Sequence, residues 1–503
     1  MTCMSTVSYQ INLNGTLLTP FEGKKGLRQG DPISPYLFVL CMEYLSRMIH
    51  TLKDDARFKF HPKCAKLNIT HLVFADDLLF FSNGTPEAVY TLLDLFEQFS
   101  SSSGLTANKQ KSEIYFSGVN LARRSEILER AGLQEGTLPF RYLGIPLNAK
   151  RLSIVQYQPL LEKMVSKVHH WTAKLLSYGG RLQLIQSVLF SIQFYWSHIF
   201  PFPKKVMKAV EAICRKFLWA GDIESKKSSV AWEDVCRPRG EGGLNLIHLS
   251  SWNRACLLKL LWAIHKKSGR LWIKWIHAYY IKGSQVLNMK APTQASFLFK
   301  KLLKLRELVS GLPGWGQLLG GDNMDMKKAY LLFHPQGPKV DWKELVLNNC
   351  ATPKARFILW LALRKRLATK DRIQRFCTGI NDTCIICQDV PETVEHLFFS
   401  CPIIKTAWED LLSWLGMHHQ VISWSSEMQF LYVKTKGKTP LARVLKVMLS
   451  EFMYAVWGER NRRIFENVRE DMQRIKKQII YITICRCLPI PSLTKFCNSM
   501  KLL

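Results

Sequence analysis

Two adjacent acids, Asp76 and Asp77, stand between two apolar runs, Leu72-Val73-Phe74-Ala75 and Leu78-Leu79-Phe80-Phe81. Short apolar runs on both sides of a charged pair have few ways to fold. Each run reads as a buried strand, and ionised carboxylates cannot be carried into a core unpaired. The chain must therefore double back here, with the runs pinned inside and the acids at the tip. A tip fixed in this way can hold a divalent cation, because Mg2+ prefers carboxylate and phosphate oxygens. An Asp-Asp pair also suits an ordinary solvated turn, and the apolar flanks are what favour the metal-holding reading.

The neighbouring pattern supports an α+β domain over about the first 150 residues. Residues 8–21 predict two short strands joined at Asn14-Gly15, whose positive φ angles suit a tight hairpin turn. A helix is expected from about Pro35 to Leu52, with Leu37, Cys41, Tyr44, Leu45, Met48 and Leu52 on one face. A second is expected from about Pro86 to Ser102, with Val89, Leu92, Leu93, Phe96 and Phe99 aligned and Gly104 just past its end. Residues 112–117 and 140–147 read as strands. This order of strands and helices suggests an antiparallel sheet with helices. Beyond residue 152 long amphipathic helical segments dominate, with breaks expected at Ser177–Gly180, Pro201–Pro203, Arg237–Gly243 and Gly311–Gly321. Pro292–Asp325 reads as a loop-rich linker around one helix.

A second signal lies farther on. Cys384, Cys387, His396 and Cys401 form Cys-x2-Cys-x8-His-x4-Cys. Two cysteines two residues apart aim both thiolates at one ion, and a later His and Cys can close the tetrahedron of a structural Zn2+ site. Cys377 and His418 are spare ligands. Arg364, Lys365, Arg366, Lys370, Arg372 and Arg375 upstream read either as a basic surface for nucleic acid or as a solvated helix face.

Composition narrows the partner. Seventy Lys and Arg against 39 Asp and Glu give a net charge of +31. Such a surface favours a polyanion, because each phosphate neutralised releases condensed counterions. The start lacks the basic and apolar regions of a secretory leader, and no run is long enough for a membrane span, so nucleus or cytoplasm is expected. The scattered cysteines outside the cluster read as reduced thiols. The tryptophans at 252, 262, 272 and 275 share helices with leucines and read as core. The charge run Glu459-Arg460-Asn461-Arg462-Arg463 reads as a solvated helix face. No Gly-rich phosphate loop or Ser/His/Asp arrangement is evident.

Taken in order, these strings resemble the reverse transcriptases of plant non-LTR (LINE-type) retrotransposons. Gly26-Leu27-Arg28-Gln29-Gly30-Asp31-Pro32-Ile33-Ser34-Pro35 is similar to the family segment beside the incoming nucleotide, and Phe74-Ala75-Asp76-Asp77 to its metal-holding hairpin. Ser103–Glu113 resembles the next motif, and Tyr142-Leu143-Gly144-Ile145-Pro146-Leu147 the primer-gripping turn. Trp171–Leu189, Phe217-Leu218-Trp219 and Gly242-Gly243-Leu244 resemble the helical region after the palm. Glu395-His396-Leu397-Phe398, Cys401-Pro402 and Trp408 resemble the family's C-terminal zinc-binding domain.

The resemblance implies a partial polymerase palm over 1–150, a helical thumb-like region over 151–290, a linker over 291–327, a zinc-binding domain over 328–420 and a helical region over 421–503. It implies two-metal nucleotidyl transfer with Mg2+ at Asp76 and Asp77. Gln29 and Gly30 would lie against the base pair being formed, with Arg28 facing phosphate or solvent. Lys111, with Lys109 as the fallback, would help protonate the leaving pyrophosphate. Asp31 reads as a helix N-cap. RNA template and DNA primer are the implied partners.

The family's first carboxylate motif is expected upstream of Met1, since residues 1–21 hold no Asp or Glu. On that reading the chain is N-terminally truncated and its Mg2+ site incomplete. An upstream polypeptide would supply the fingers and the missing carboxylate. The resulting expectation is a catalytically defective polymerase homologue, or a non-catalytic zinc-containing nucleic-acid-binding protein.

Overall fold

The computed structural model describes residues 7–23, 26–148, 150–171, 176–224, 228–334, 337–377 and 379–500. Residues 1–4, read above for the absence of a leader, and 172–175, part of the Trp171–Leu189 stretch, lie outside this set. The chain forms two compact units. One gathers the described residues up to Arg151 with Ala263–Lys300, and the other gathers Leu152–Trp262 with those from Lys301 onward.

The first unit opens with two nested hairpin ladders. β1 (Ser8–Tyr9) pairs with β4 (Phe21–Glu22), and β2 (Asn12–Leu13) with β3 (Thr16–Leu17). Asn14 and Gly15 turn the inner pair at φ 49° and 88°, as expected. The helix Ser34–Thr51 follows, then β5 (His71–Phe74) and β6 (Asp77–Phe80), then the helix Pro86–Ser103. Gly104 ends that helix in the left-handed region at φ 74°. β7 (Glu113–Ile114) pairs in parallel with β8 (Gln134–Glu135) across the helix Leu121–Ala131. β9 (Phe140–Tyr142) and β10 (Ile145–Leu147) form a last hairpin. Among the described residues the strands form five two-stranded ladders, four of them antiparallel.

The core of this unit explains why the acidic hairpin stands where it does. Leu45 and Ile49 of the first helix, with Leu52 just past its end, cluster with Phe58 and with Ala88, Leu92, Leu95 and Phe99 of the second. Leu78 and Phe80 of β6 pack against this cluster. One member of the expected first-helix face, Tyr44, is exposed, as are Tyr36, Val39 and Leu40. The side that meets the core runs through Leu45, Met48 and Ile49, so the predicted stripe faces the core with Tyr44 at its rim. The segment Ala263–Lys300 joins the same unit by hydrogen bonds from Trp275 Nε1 to Lys63 O (2.7 Å) and from Tyr279 OH to Pro62 O (3.3 Å).

The second unit is helical. Its centre is Pro353–Leu363, in which eight of eleven residues are buried, packed against the long helix Pro440–Phe465. Trp360 Nε1 donates to Gly242 O at 2.8 Å. The adjacent Gly243 has no substitute, because a Cβ there would lie 1.9 Å from Arg237 O. Two sequence expectations are sharpened here. Gly179 and Gly180 lie inside the helix Tyr178–Leu184, with Ser177 capping it by accepting from Gly180 N, so the break expected near Ser177–Gly180 falls at Ser177 and the glycines begin the next helix. The stretch Pro292–Asp325 carries two helices, Phe297–Val309 and Trp315–Gly320, where one was expected.

The charge run at 459–463 is not a solvated face. Glu459 and Arg460 are buried, and Glu459 accepts from Arg462 and Arg463. Arg460 reaches back to Glu392 with Nη2 to Oε1 at 2.6 Å. A charge run looks solvated in sequence because its partner, 68 positions away, is invisible there. The four tryptophans at 252, 262, 272 and 275 are half-buried, in keeping with a packing role.

Candidate functional site

The acidic hairpin turns in two residues. Phe74 pairs with Asp77, leaving Ala75 and Asp76 as the tip. Ala75 sits at φ 50°, a left-handed conformation that costs a non-glycine residue about 1–2 kcal/mol. Asp76 and Asp77 are both exposed, as a cation-holding tip or a simple turn requires. The phenol of Tyr142, at the end of β9, is pushed up by burial and by the charge of Asp77. The acidic tip and the β9–β10 hairpin are therefore electrostatic neighbours. That second hairpin also turns in two residues, Leu143 at φ 51° and Gly144 at φ 77°.

Gln29 and Gly30 form the exposed corner of the turn that feeds the first helix. Asp31 N donates to Arg28 O at 3.4 Å, and Gly30 takes φ 88°, which a type II turn demands at its third residue. Ser34 Oγ also donates to Arg28 O, at 2.7 Å. Asp31 Oδ1 accepts from Ile33 N at 2.9 Å, so it caps the turn before the helix while Ile33 occupies the formal N-cap. The Arg28 side chain is exposed. Lys109–Lys111 form one 3₁₀ turn, capped by Asn108. Lys109 leans toward the end of the helix Leu121–Ala131, where a Cβ on Gly132 would meet its Nζ at 3.7 Å. Lys111 is exposed.

Among the described residues, one set of three or more His, Cys, Asp or Glu side chains gathers into a potential metal site: Cys384, Cys387, His396 and Cys401. Their ligand atoms all lie within 4.8 Å of one another, and Cys387 Sγ is 3.3 Å from His396 Nε2. Zn–S and Zn–N bonds of about 2.3 and 2.0 Å place tetrahedral ligands about 3.3–3.8 Å apart. The cage is thus near the size zinc requires.

The local fold explains the gathering. Gln388 N donates to Cys384 O, and Gln388 takes φ 61°, closing the Cys-x2-Cys loop. Thr383 and Pro391 bridge beneath it. A wide helical turn, His396–Ser400, carries the other two ligands, and Cys401 N donates to His396 O at 2.7 Å.

The electrostatics fit a cation. The Cys384 thiol is drawn down, first by a hydrogen bond from Cys401 and then by the backbone N–H groups of Cys387 and Ile386. Cys401 is pushed up by sharing that proton and by burial. A bound Zn2+ would replace the shared proton and hold both sulfurs as thiolates. Glu392, fully buried beside the loop, accepts from Arg460 and from Lys370 N, and thereby ties the cage to the helix Pro440–Phe465. Sequence reading missed this pair, because nothing local marks Glu392 as buried and Arg460 lies 68 positions away.

The expected basic surface beside the cage divides. Arg364 turns inward, donating to Gly242 O at 3.1 Å and pairing with Asp234. Lys370 donates to Thr383 O, Arg372 to Leu367 O, and Lys365 pairs with Glu395. Arg366 and Arg375 are exposed. Cys377 and His418, the spare ligands, are not in the gathered set.

Comparison with known proteins agrees with both motif regions. Residues 1–147 match the family of reverse transcriptases (RNA-dependent DNA polymerases), and residues 325–408 match the zinc-binding domain found in reverse transcriptase. An uncharacterised mitochondrial protein of Arabidopsis thaliana is 36% identical over 103 residues, which is 20% of this chain and 81% of that protein. The chain belongs to the plant retroelement reverse transcriptases. An Arabidopsis protein carrying a ribonuclease H name is 30% identical over 188 residues, 36% of this chain. This chain spans 30% of that relative's length. A second Arabidopsis mitochondrial protein, also uncharacterised, is 25% identical over 118 residues, 23% of this chain and 77% of that protein. The reverse transcriptase family implies nucleic-acid substrates and divalent metal in general terms. Among the described residues no helix is long and apolar enough to cross a membrane.

Proposed function

We propose that this chain is an RNA-directed DNA polymerase homologue whose own residues hold the catalytic Mg2+ weakly and polymerise poorly by themselves. In this reading Asp76 and Asp77 bind Mg2+, and Gln29 and Gly30 abut the nascent base pair. Arg28 meets the triphosphate, and Lys111 donates a proton to the leaving pyrophosphate. RNA is the template and DNA the primer. The observation that carries the reading is the acidic two-residue tip beside the Tyr142 hairpin, a pair of turns able to bring metal and primer end together. The defect is argued from the metal side. Two exposed carboxylates with no third gathered beside them among the described residues leave most of the ion's ligands to water. A partner polypeptide bearing a further carboxylate would complete the site.

Two measurements test it. Mn2+ binding by the purified chain, followed by water-proton relaxation, is expected to be weak and to disappear in Asp76→Ala. Primer extension on an RNA template with Mg2+ is expected to stay near background. Mn2+ binding indifferent to Asp76→Ala would overturn the metal assignment, and vigorous extension abolished by that change would overturn the defect.

A second reading is supported by the contrast between the two sites. The zinc ligands gather into a cage while the carboxylates do not, which suits a non-catalytic nucleic-acid-binding protein folded around Zn2+. RNA affinity retained in Asp76→Ala and lost on zinc removal would favour it.

A further inference from the structure

From Gly242 to Arg306 the chain contains no acidic residue, yet it carries twelve Lys and Arg. The chain's average density of acids would place about five in that length. Part of this stretch, Ala263–Lys300, folds into the same unit as the acidic hairpin. There it walls a cleft of about 300 Å3 lined by Lys267, Ser268, Ile273, Lys274, His277, Gly283 and Ser284. No acid is among these residues.

Three features make this cleft more than a basic patch. Lys267 is held in the lining by its backbone, with φ 51° and its N–H donating to Ile264 O at 3.1 Å. His277, also in the lining, is held by a hydrogen bond from Nε2 to the same Ile264 O at 2.8 Å. The hydroxyl of Ser268 is buried with no hydrogen-bond partner, an uncommon state for a buried polar atom. The cleft therefore combines two exposed lysines, the Ser284 hydroxyl and the orphaned Ser268 hydroxyl, with no carboxylate in its lining. Its only buried apolar lining is Ile273, so it offers little surface on which a base could stack.

We infer that this cleft binds a phosphodiester group of a nucleic-acid backbone, with Lys267 and Lys274 as the paired cations. The inference rests on the polynucleotide-binding part of the proposed function and adds a site to it. Backbone phosphate is favoured because the lining supplies two lysines and two hydroxyls, carries no carboxylate, and lacks the large aromatic surface and paired donor-acceptor groups that read a base. The site anchors the strand to the unit that carries Asp76 and Asp77 and is blind to sequence.

The test uses the full chain with Lys267→Gln/Lys274→Gln, which keeps most of each apolar stem while removing both charges. A control, Lys163→Gln/Lys167→Gln, removes two exposed charges from the helix Gln158–His170. Binding of a fluorescein-labelled single-stranded RNA is followed by anisotropy from 50 to 200 mM salt, with melting temperatures as a folding check. The one lost phosphate contact is expected to lower the salt slope by about 0.7, so the affinity change across that range shrinks about 2.6-fold. The control should keep nearly the wild-type slope. Equal slopes in cleft variant and control would overturn the site. An unchanged RNA slope with loss of binding to anionic phospholipid vesicles would overturn it in favour of a lipid headgroup. Absence of RNA binding by the wild-type chain would sink the proposed function as well.

Discussion

Removing one member of the Glu392–Arg460 pair should unfold the zinc region, whereas removing both should spare it. Glu392 has no exposed surface and Arg460 is 2% exposed. Their contact is multiple: Nη2 to Oε1 at 2.6 Å, Nε to Oε1 at 3.1 Å and Nε to Oε2 at 3.2 Å. Arg460 also donates to Ala368 O, and Glu392 accepts from Lys370 N. Deleting one charge leaves the other buried and unpaired, which costs about 3–5 kcal/mol. Deleting both with apolar residues of similar size costs far less, since the desolvation of two ions is also removed. Glu392 N donates to Asp382 O at 2.7 Å, one residue from the bridge under the ligand loop. The lost stability should therefore appear at the cage.

The perturbations are Glu392→Leu, Arg460→Met and the double change. The assay is zinc retention during urea titration, read with a colorimetric chelator alongside tryptophan fluorescence. Each single variant should release zinc at a midpoint lower by about 1–3 M urea, taking a slope of about 1.5–3 kcal/mol per molar. The double variant should recover at least half the loss. Single variants within 1 kcal/mol of wild type would refute the claim that this pair holds the cage, as would a double variant as weak as the worse single.

Other outcomes follow from the same structure. Chelation of zinc, or Cys401→Ser, should lower the melting temperature and expose Cys384 and Cys387 to thiol reagents at neutral pH; equal reactivity with and without zinc would contradict the cage. Glu211 is held up to about 7 by burial and by Glu233. A carboxyl raised in the folded state binds its proton more tightly there than in the unfolded chain. The contribution of Glu211 to stability should thus fall as pH rises from about 4.5 to 7. Glu211→Gln should gain about 1–3 kcal/mol at pH 8 and nothing at pH 4, and a gain that did not vary with pH would disprove the burial account. Gly243→Ala should cost more than about 3 kcal/mol in urea unfolding, because its methyl would overlap the Arg237 carbonyl; a change below 1 kcal/mol would show that the loop yields.

What sequence made legible was short in range. Asn14-Gly15, Gly104 and the Cys-x2-Cys loop each carry their geometry within a few residues, so turn chemistry alone places them. The apolar flanks of Asp76 and Asp77 did the same for the acidic hairpin, whose register puts Phe74 opposite Asp77. Features that depend on distant partners stayed hidden. Arg460 looks like any solvated arginine until Glu392 lies against it, and Arg364 looks basic and free until Gly242 and Asp234 take it inward. Tyr44 reaches only the rim of the core, its ring 6.4 Å from Phe99, because a helical stripe fixes a face only to within a fraction of a turn and Leu45 and Ile49 took its centre. The acid-free stretch was present in the sequence throughout, but its meaning required Trp275 and Tyr279 to dock on residues 62–63. Long-range pairing also separates the two metal questions. The zinc ligands span 18 residues and could be judged from spacing. The acidic hairpin's ability to hold Mg2+ turns on whether another carboxylate meets it across space, which spacing does not encode. Adding a polypeptide that bears a carboxylate motif should therefore tighten Mn2+ binding at the hairpin and leave zinc content unchanged. Coupled changes at both sites would mean that the two centres are not independent.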